Sequence, residues 1–297
     1  MKPIATTEGT KDILKRYPFV FKKKFGQNFL INNDVLDEII EAADLGGNDY
    51  VLEIGPGIGC VTQALLVNAK KVIAIEIDKL LIPILEDNFG ECPNLKLINN
   101  DVLKVDLHEL IKEEMKDEPQ GSKIKVVANL PYYITTPIIM MLLEERLPIE
   151  TITVMVQKEV ALRMHAEPGT KQYGAITVAL NYYASSYLVT EVPRDCFMPS
   201  PNVDSAVIQL RLHEKPPVEV RDETFLFKLV KAAFSQRRKT LLNTLFSQGD
   251  LDISKDDLKE VLDGSGIGAS VRGETLSLEK FAELTNIILD YKARVKK

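Results

Sequence analysis

Cysteine and histidine are scarce in this chain, and the few that occur are far apart. Among its 297 residues are three cysteines and three histidines. An odd number of scattered cysteines fits neither a disulfide framework nor a zinc site, and the histidines are equally isolated. We therefore expect no metal centre. The residues concerned are Cys60, Cys92, Cys196, His108, His165 and His213.

Long apolar runs are also missing. No stretch approaches the length of a membrane span, and no apolar segment of the signal-peptide kind follows the lysines near the N-terminus. The hydrophobic content of 45% and the charged content of 27% are typical of a soluble globular protein. We expect a cytoplasmic protein without a membrane partner, with one sizeable α/β core and a smaller companion domain.

A general positive charge is absent as well. The net charge of -6 means that any contact with nucleic acid must come from local patches. Two basic clusters exist: Lys11 to Lys24 holds six basic residues and one acid, and Lys228 to Lys239 holds five basic residues and no acid. Each cluster is either an ordinary solvated face or a phosphate-binding surface.

A glycine-rich loop stands between a predicted strand and a predicted helix. The strand covers Tyr50 to Ile54, the loop reads Gly55-Pro56-Gly57-Ile58-Gly59, and the helix covers Cys60 to Asn68. Glycines let a ligand approach the backbone and the start of the helix. A second strand, Lys71 to Ile77, carries Glu76, an acid suited to a ribose diol. The G-x-G-x-G spacing favours S-adenosylmethionine over a dinucleotide.

The third predicted strand, Leu95 to Asn99, ends at Asn100 and Asp101. A carboxylate at this edge of the sheet can accept a hydrogen bond from an adenine amine. The alternative is that Asp101 is only a turn residue or a helix cap.

The most informative stretch runs from Lys125 to Tyr132. Its first apolar residues predict a strand buried on both faces, and Pro131 ends that strand. The Asn129 amide oxygen, the Leu130 carbonyl and the Tyr132 ring then meet at the carboxyl edge, where open α/β sheets bind ligands. They supply two acceptors and a stacking surface for a flat base with an exocyclic NH2 group. The alternative is an ordinary strand-to-loop turn.

A second aromatic residue, Phe197, precedes the stiff sequence Met198-Pro199-Ser200-Pro201. Opposite Tyr132 it would complete a sandwich for a flipped base; otherwise it belongs to the core. The flanking segments, Tyr187 to Val192 and Val203 to Leu212, predict paired strands.

The remaining pattern predicts the domain organisation. We expect a flexible basic lead-in at residues 1–24, with weak helical character around Asp12 to Tyr17, and an α/β domain at 25–214. A linker at 215–221 and a helical domain at 222–297 follow. Within the α/β domain, Asn33 or Asp34 is the expected cap of a helix that ends near Ala43.

These motifs together resemble the ribosomal RNA adenine N6,N6-dimethyltransferases, in particular their small-subunit branch. The resemblance covers nearly the whole chain after about Lys22. It rests on Gly26 to Leu30, Glu53 to Gly57, Glu76, Asn100-Asp101, Asn129 to Tyr132, Phe197-x-Pro199-x-Pro201-x-Val203-x-Ser205 and Ala233 to Lys239.

The resemblance implies a fold, a cofactor and a set of site residues. The fold is an α/β, Rossmann-like S-adenosylmethionine-dependent methyltransferase domain with a small all-α C-terminal domain. Cofactor contacts fall on Gln27, Asn28, Leu30, Gly55, Gly57, Glu76, Ile77, Asp101, Val102 and Asn129. Catalytic roles fall on Asn129, Leu130, Pro131, Tyr132 and Phe197, and RNA contacts on Lys22, Lys23, Lys24, Arg237, Arg238 and Lys239. Tyr133 is assigned no role.

The implied reaction is dimethylation of the N6 amines of two adjacent adenines in the 3′-terminal hairpin loop of small-subunit (16S) rRNA. The expected substrate is a pre-30S particle, and the expected enzyme is a monomer. Alternatives are a large-subunit (23S) methylase of the antibiotic-resistance type, a protein that chiefly binds as an assembly checkpoint, and a glutamine amide methylase. The basic clusters argue against the last.

Overall fold

The computed structural model describes residues 2–17, 26–248 and 251–295. The chain divides into two compact units. The first comprises Met1–Ala161 with Ser186–Leu212, and the second comprises Leu162–Ser185 with His213–Lys297. Within the described ranges, no helix combines the length and the apolar character that crossing a membrane requires.

The strands and helices follow the predicted alternation closely. The strands are β1 Phe29–Leu30, β2 Tyr50–Ile54, β3 Lys71–Glu76, β4 Leu95–Asn99, β5 Ile124–Asn129, β6 Ile149–Gln157, β7 Ala184–Val192, β8 Phe197–Met198 and β9 Ser205–Leu212. The helices are α1 Thr7–Arg16, α2 Asn33–Ala43, α3 Cys60–Asn68, α4 Ile82–Phe89, α5 Leu107–Glu114, α6 Thr135–Glu144, α7 Lys158–Met164, α8 Ala175–Tyr183, α9 Glu223–Phe234, α10 Leu241–Gln248, α11 Lys255–Gly264 and α12 Leu278–Val295.

The large sheet has seven strands in the order β4-β3-β2-β5-β6-β9-β7. Strands β2 to β6 pair in parallel, and β9 runs antiparallel to β6. Strand β2 is buried along its whole length, and β5 is buried up to Asn129, as expected of parallel strands covered on both faces. Because β3 and β5 flank β2 on opposite sides, the strand order reverses there, and ligands bind at such a point in open α/β sheets.

The N-terminal region differs from the expected flexible lead-in. Helix α1 begins at Thr7, where the Thr6 side chain accepts a hydrogen bond from the Gly9 N–H. Ile4 and Ile13 are buried in the core of the first unit, so this segment is part of that core. Lys22, Lys23 and Lys24 lie outside the described residues.

The cap of α2 was predicted one residue too late. Neither Asn33 nor Asp34 caps this helix. The cap is Asn32, whose side chain accepts a hydrogen bond from the Val35 N–H at 3.1 Å. The sequence offers three adjacent cap formers here, and only the backbone angles decide between them, because a cap residue needs extended rather than helical backbone.

The second unit is helical and has its own core, with Phe281, Leu226 and Tyr173 fully buried. The Tyr173 hydroxyl donates to the Leu276 carbonyl at 2.8 Å. Residues 162–185 belong to this unit, whereas the sequence analysis placed them in the α/β domain. The expected linker at 215–221 is tied to α12, because the Asn286 amide donates to the Glu219 carbonyl at 2.9 Å. The boundaries of independent domains stay a prediction.

Candidate active site

A cleft opens in the first unit at the carboxyl ends of β2, β3 and β5. Its volume is about 730 Å³, including the solvent at its mouth. The residues that line it come from the glycine loop, the end of β3 and the strand end at Asn129, together with the segment before β1. They include Gln27, Asn28, Leu30, Gly55, Gly57, Glu76, Ile77, Asn129, Leu130, Pro131 and Tyr132. The structure therefore brings most of the predicted site residues together.

The glycine loop is held against Glu76. The Gly57 N–H donates to Glu76 Oε2 at 3.1 Å, and the Asp78 N–H donates to Oε1 at 2.8 Å. Gly57 has a positive φ of 62°, and a Cβ there would lie 3.1 Å from the Phe29 ring, so a side chain would crowd the floor of the cleft. Burial raises the pKa of Glu76 to about 7 although both N–H donors oppose the shift. Each carboxylate oxygen retains acceptor capacity for a further donor.

A second, mostly apolar cavity adjoins this cleft and shares Gly55, Ile77, Pro131 and Tyr133 with it. Asp101 and Val102 lie on its other side. Asp101 also caps a short 3-10 helix at Val102–Lys104, where its Oδ1 accepts from the Leu103 N–H at 3.1 Å. Asp101 is therefore a helix cap, as the alternative interpretation proposed, and it also lines the cavity.

The Asn129 amide has a defined orientation. Its Nδ2 donates to the Asn28 carbonyl at 3.1 Å, and the Leu130 N–H donates to the Met155 carbonyl at 3.1 Å. With Nδ2 occupied, Oδ1 is left as an acceptor beside the cleft. Among the described residues, no donor reaches either Oδ1 or the Leu130 carbonyl. Two acceptors are therefore presented at one strand end.

Tyr132 links this strand end to the other side of the sheet. Its hydroxyl shares a 2.5 Å hydrogen bond with Ser205 Oγ, the first residue of β9. Burial raises the pKa of Tyr132, so the phenol is neutral at physiological pH. The hydrogen bond at the hydroxyl therefore holds the Tyr132 ring in one position in the wall of the cleft.

Of the two positions considered for Phe197, the structure shows the one in the core. It is 3% exposed and lies in the core of the first unit. Its backbone pairs with Leu30 in a two-stranded sheet formed by β1 and β8. The ring lines neither of the two cavities, so the expected sandwich with Tyr132 is not formed here. The physical reason is the β1–β8 pairing, for which the two-residue strands gave no periodic signal. A stacking role for Phe197 stays a prediction.

The basic segment of the second unit contains one arginine with structural partners. Arg237 Nη2 donates to the carbonyls of Lys171 and Tyr173, both at 2.8 Å, and Nε lies 3.4 Å from Glu274 Oε2. These contacts attach the loop before α8 to the segment that follows α9. Arg238 and Lys239 are exposed. The guanidinium of Arg237 therefore already has protein partners. RNA binding by Arg237 stays a prediction.

Sequence reasoning assigned no role to two cleft residues. Tyr133 is 54% exposed and lines both cavities; its place directly after Tyr132 was the available signal. Glu53 is 1% exposed and lines the cleft, and its Oε2 has no partner among the described residues. Burial raises the pKa of Glu53 to about 8. An acid facing inward from an otherwise apolar strand was its signal.

The residues present fit S-adenosylmethionine. Glu76 offers carboxylate oxygens for ribose hydroxyls, and the glycine loop leaves room where a Cβ at Gly57 would intrude. The apolar cavity between Ile77, Val102 and Tyr133 suits a flat adenine ring, with Asp101 at its edge. The site and the sheet order thus define a Rossmann-like, S-adenosylmethionine-dependent methyltransferase.

Comparisons with known proteins narrow this class. The family model described as ribosomal RNA adenine dimethylase matches residues 19–284. Ribosomal RNA small subunit methyltransferase A of Lachnoclostridium phytofermentans is 55% identical over 280 residues, which are 94% of this chain and 95% of that protein. Its namesake from Bacillus mycoides is 50% identical over 293 residues, covering 98% of this chain and 99% of that one.

Two solved structures agree with these relatives. A dimethyladenosine transferase from Plasmodium falciparum has a TM-score of 0.73 at 27% identity, covering 90% of this chain and 98% of that one. The 23S rRNA methyltransferase ErmE has a TM-score of 0.65 at 28% identity, covering 88% and 99%. The chain belongs to the ribosomal RNA adenine dimethylase family.

Proposed function

We propose that this protein is an S-adenosylmethionine-dependent enzyme that dimethylates the N6 amines of two adjacent adenines in the 3′-terminal hairpin loop of 16S rRNA. The family and the small-subunit relatives support this substrate. The observation that carries the chemistry is the Asn129 amide, whose Nδ2 is bound to the Asn28 carbonyl so that Oδ1 is left to accept.

The mechanism follows from the poor nucleophilicity of adenine N6, whose lone pair is delocalised into the ring. Asn129 Oδ1 and the Leu130 carbonyl would accept hydrogen bonds from the two N–H groups of the amine. Such acceptors orient the amine and favour the charge that develops on nitrogen during attack. S-adenosylmethionine supplies a methyl group bonded to a positively charged sulfur.

No strong general base is required among the residues at the strand end. The methylated nitrogen becomes acidic as it turns cationic, so weak acceptors suffice to receive its proton. The second transfer meets a different geometry, because monomethyladenine has one N–H for two acceptors. We infer that the cavity allows the singly methylated group to rotate between the two transfers.

The large-subunit alternative is less well supported. Curated relatives that carry the small-subunit name are 49 to 55% identical to this chain, whereas the 23S methyltransferase ErmE is 28% identical. A catalytically inactive variant compared with a deletion would separate a methylase from an assembly checkpoint. A checkpoint requires the inactive variant to restore subunit assembly fully.

The partner and the location are proposed with the function. A substrate hairpin within a pre-30S particle would place the enzyme in the cytoplasm, where it would act as a monomer on the assembling particle. The exposed side chains of Arg238 and Lys239 are suited to phosphate contacts, as are Lys22, Lys23 and Lys24 by their charge.

Methyl mapping tests the function directly. The protein is incubated with labelled S-adenosylmethionine and small subunits that lack the modification, and the labelled bases are then mapped. Two neighbouring adenines, each carrying two methyl groups, are expected. Label on the large subunit alone, or on protein, would refute the proposal. Isolated large subunits serve as the matched control substrate.

A further inference from the structure

A further cavity in the first unit lies next to the cofactor cleft. It shares Gly26, Gln27, Asn28 and Tyr132 with the cleft and is completed by Gln157 and residues 199–203. Its volume is about 780 Å³ with the solvent at its mouth. None of the described residues that line it carries a charge. A phosphate would call for a lysine or an arginine, so the lining suits a neutral, flat group with hydrogen-bonding edges.

Strand register fixes where Gln157 stands. Asn129 on β5 is paired with Met155 on β6, so Gln157 lies two residues beyond that pair, at the same carboxyl edge of the sheet. Its partner on β9 is Ser205, the residue whose Oγ is bonded to the Tyr132 hydroxyl. Gln157 is therefore held by a strand beside the Tyr132 ring.

The amides of Gln27 and Asn28, which also line this cavity, are already engaged. Gln27 Nε2 donates to Asp78 Oδ2 at 2.9 Å, and Asn28 Nδ2 donates to the Gly26 carbonyl at 3.0 Å. In contrast, the side-chain amide of Gln157 has no hydrogen-bond partner among the described residues and is only partly exposed. Asn202 also has none within those ranges, but it is exposed on a loop, so its amide is open to solvent.

We propose that the Gln157 amide donates a hydrogen bond to the ring nitrogen of the target adenine that flanks the reacting amine, either N1 or N7. This inference rests on the proposed function and adds a specificity residue to it. Asn129 and Leu130 take up the amine, which leaves the ring nitrogens as the remaining acceptors. Guanine carries an oxygen in place of the amine, so the two acceptors alone disfavour it, and a donor at N1 would also meet the N–H that guanine carries there. A donor at N7 would position the purine without distinguishing it from guanine.

The test combines protein variants with single-atom changes in the base. Gln157→Met keeps the length of the side chain and removes the donor. Gln120→Met is the matched control, because it makes the same change at an exposed residue of the first unit that lines none of the three cavities. Small subunits are reconstituted on rRNA with 1-deazaadenosine or 7-deazaadenosine at the target position. On natural rRNA, Gln157→Met should lower kcat/KM by about threefold to tenfold, the size of one neutral hydrogen bond. Calorimetric affinity for S-adenosylmethionine should be unchanged.

On one of the two analogues, wild type and Gln157→Met should become equal, because the acceptor that Gln157 contacts is then missing. The inference is overturned if the ratio of their rates persists on both analogues, or if the variant loses cofactor affinity. Gln157→Glu, which also lacks the donor, repeats the test should the methionine variant fold poorly. Failure of the proposed function looks different, since wild type would then leave natural adenine unmethylated.

Discussion

The strand end at Asn129 and the basic segment at Arg237 are both predicted to touch substrate, but their polar groups have different partners. Asn129 binds the protein through its donor and leaves its acceptor at the cleft. Arg237 uses its guanidinium on two carbonyls and a carboxylate of its own unit. The difference shows that a polar motif residue must be judged by which of its groups the fold has already occupied.

Phe197 extends this comparison to an aromatic residue. It belongs to a motif that predicts contact with the base, but its side chain lies in the core. Phe197→Ala should lower the free energy of unfolding by about 3 to 5 kcal/mol, the usual cost of removing a buried phenylalanine. Chemical denaturation measures it. An unchanged free energy would mean that the ring is outside the core and available for stacking.

The variant Phe197→Leu, which keeps an apolar side chain in the core and removes the aromatic ring, separates the two roles. Retained stability with slower methyl transfer and unchanged cofactor affinity would support stacking on the base, an interaction of about 1 to 3 kcal/mol. Retained stability with normal transfer would leave Phe197 as a core residue only.

Asn129 gives the next largest effect. Asn129→Ala removes an acceptor aimed at the reacting amine and should lower kcat by about 10²-fold to 10³-fold, as the loss of one preorganised polar group at a reacting centre does. Counting methyl groups per adenine measures it. Asn68→Ala is the matched control, because Asn68 also donates to a backbone carbonyl, that of Ala64, away from the cleft. Undiminished dimethylation by Asn129→Ala would remove the acceptor role.

The large sheet was predictable because the local sequence pattern of its central strands indicates where they begin and end. Strands β2 and β5 are mainly apolar, which predicts buried strands. The glycines after β2 and the proline after β5 predict where each strand ends. The β1–β8 pair was missed because two-residue strands have no periodicity, and without that pair the sequence could not decide between a stacking and a core position for Phe197. The anchoring of Arg237 was missed because its partners are 66 and 64 residues away along the chain, and no local pattern reports them.

Glu53 is the opposite case, because it is a buried carboxyl of the cleft and its Oε2 has no partner in the part of the chain that the structure describes. Burial raises the pKa of Glu53 to about 8 from an ordinary 4.5. A raised carboxyl pKa means that the folded state holds its proton longer than the unfolded one. The stability contribution is then full below the ordinary pKa and is lost as pH rises through about 8.

The variant Glu53→Gln should therefore be more stable than the parent at pH 8.5, by a difference on the order of 2 kcal/mol, and similar to it at pH 5. Thermal unfolding across this range measures the difference. The pKa of Glu76, raised to about 7 by burial, leaves some pH dependence in both proteins. Because the charge of Glu76 also raises the pKa of Glu53, the difference between the two proteins reports Glu53 together with this coupling. Parallel stability curves would show that Glu53 is already ionised in the folded protein.

The smallest expected effects are those of replacing the three basic residues Arg237, Arg238 and Lys239, which are compared within one segment. Arg237→Ala should cost about 1 to 3 kcal/mol of unfolding free energy, because two carbonyls lose a charge-assisted donor. Arg238→Ala and Lys239→Ala should change stability by less than about 0.5 kcal/mol. If these two contact phosphates, each replacement lowers the salt dependence of binding to the small subunit by about one counterion. An Arg237 variant that keeps full stability but loses binding to the small subunit would show that Arg237 contacts RNA and does not anchor the segment.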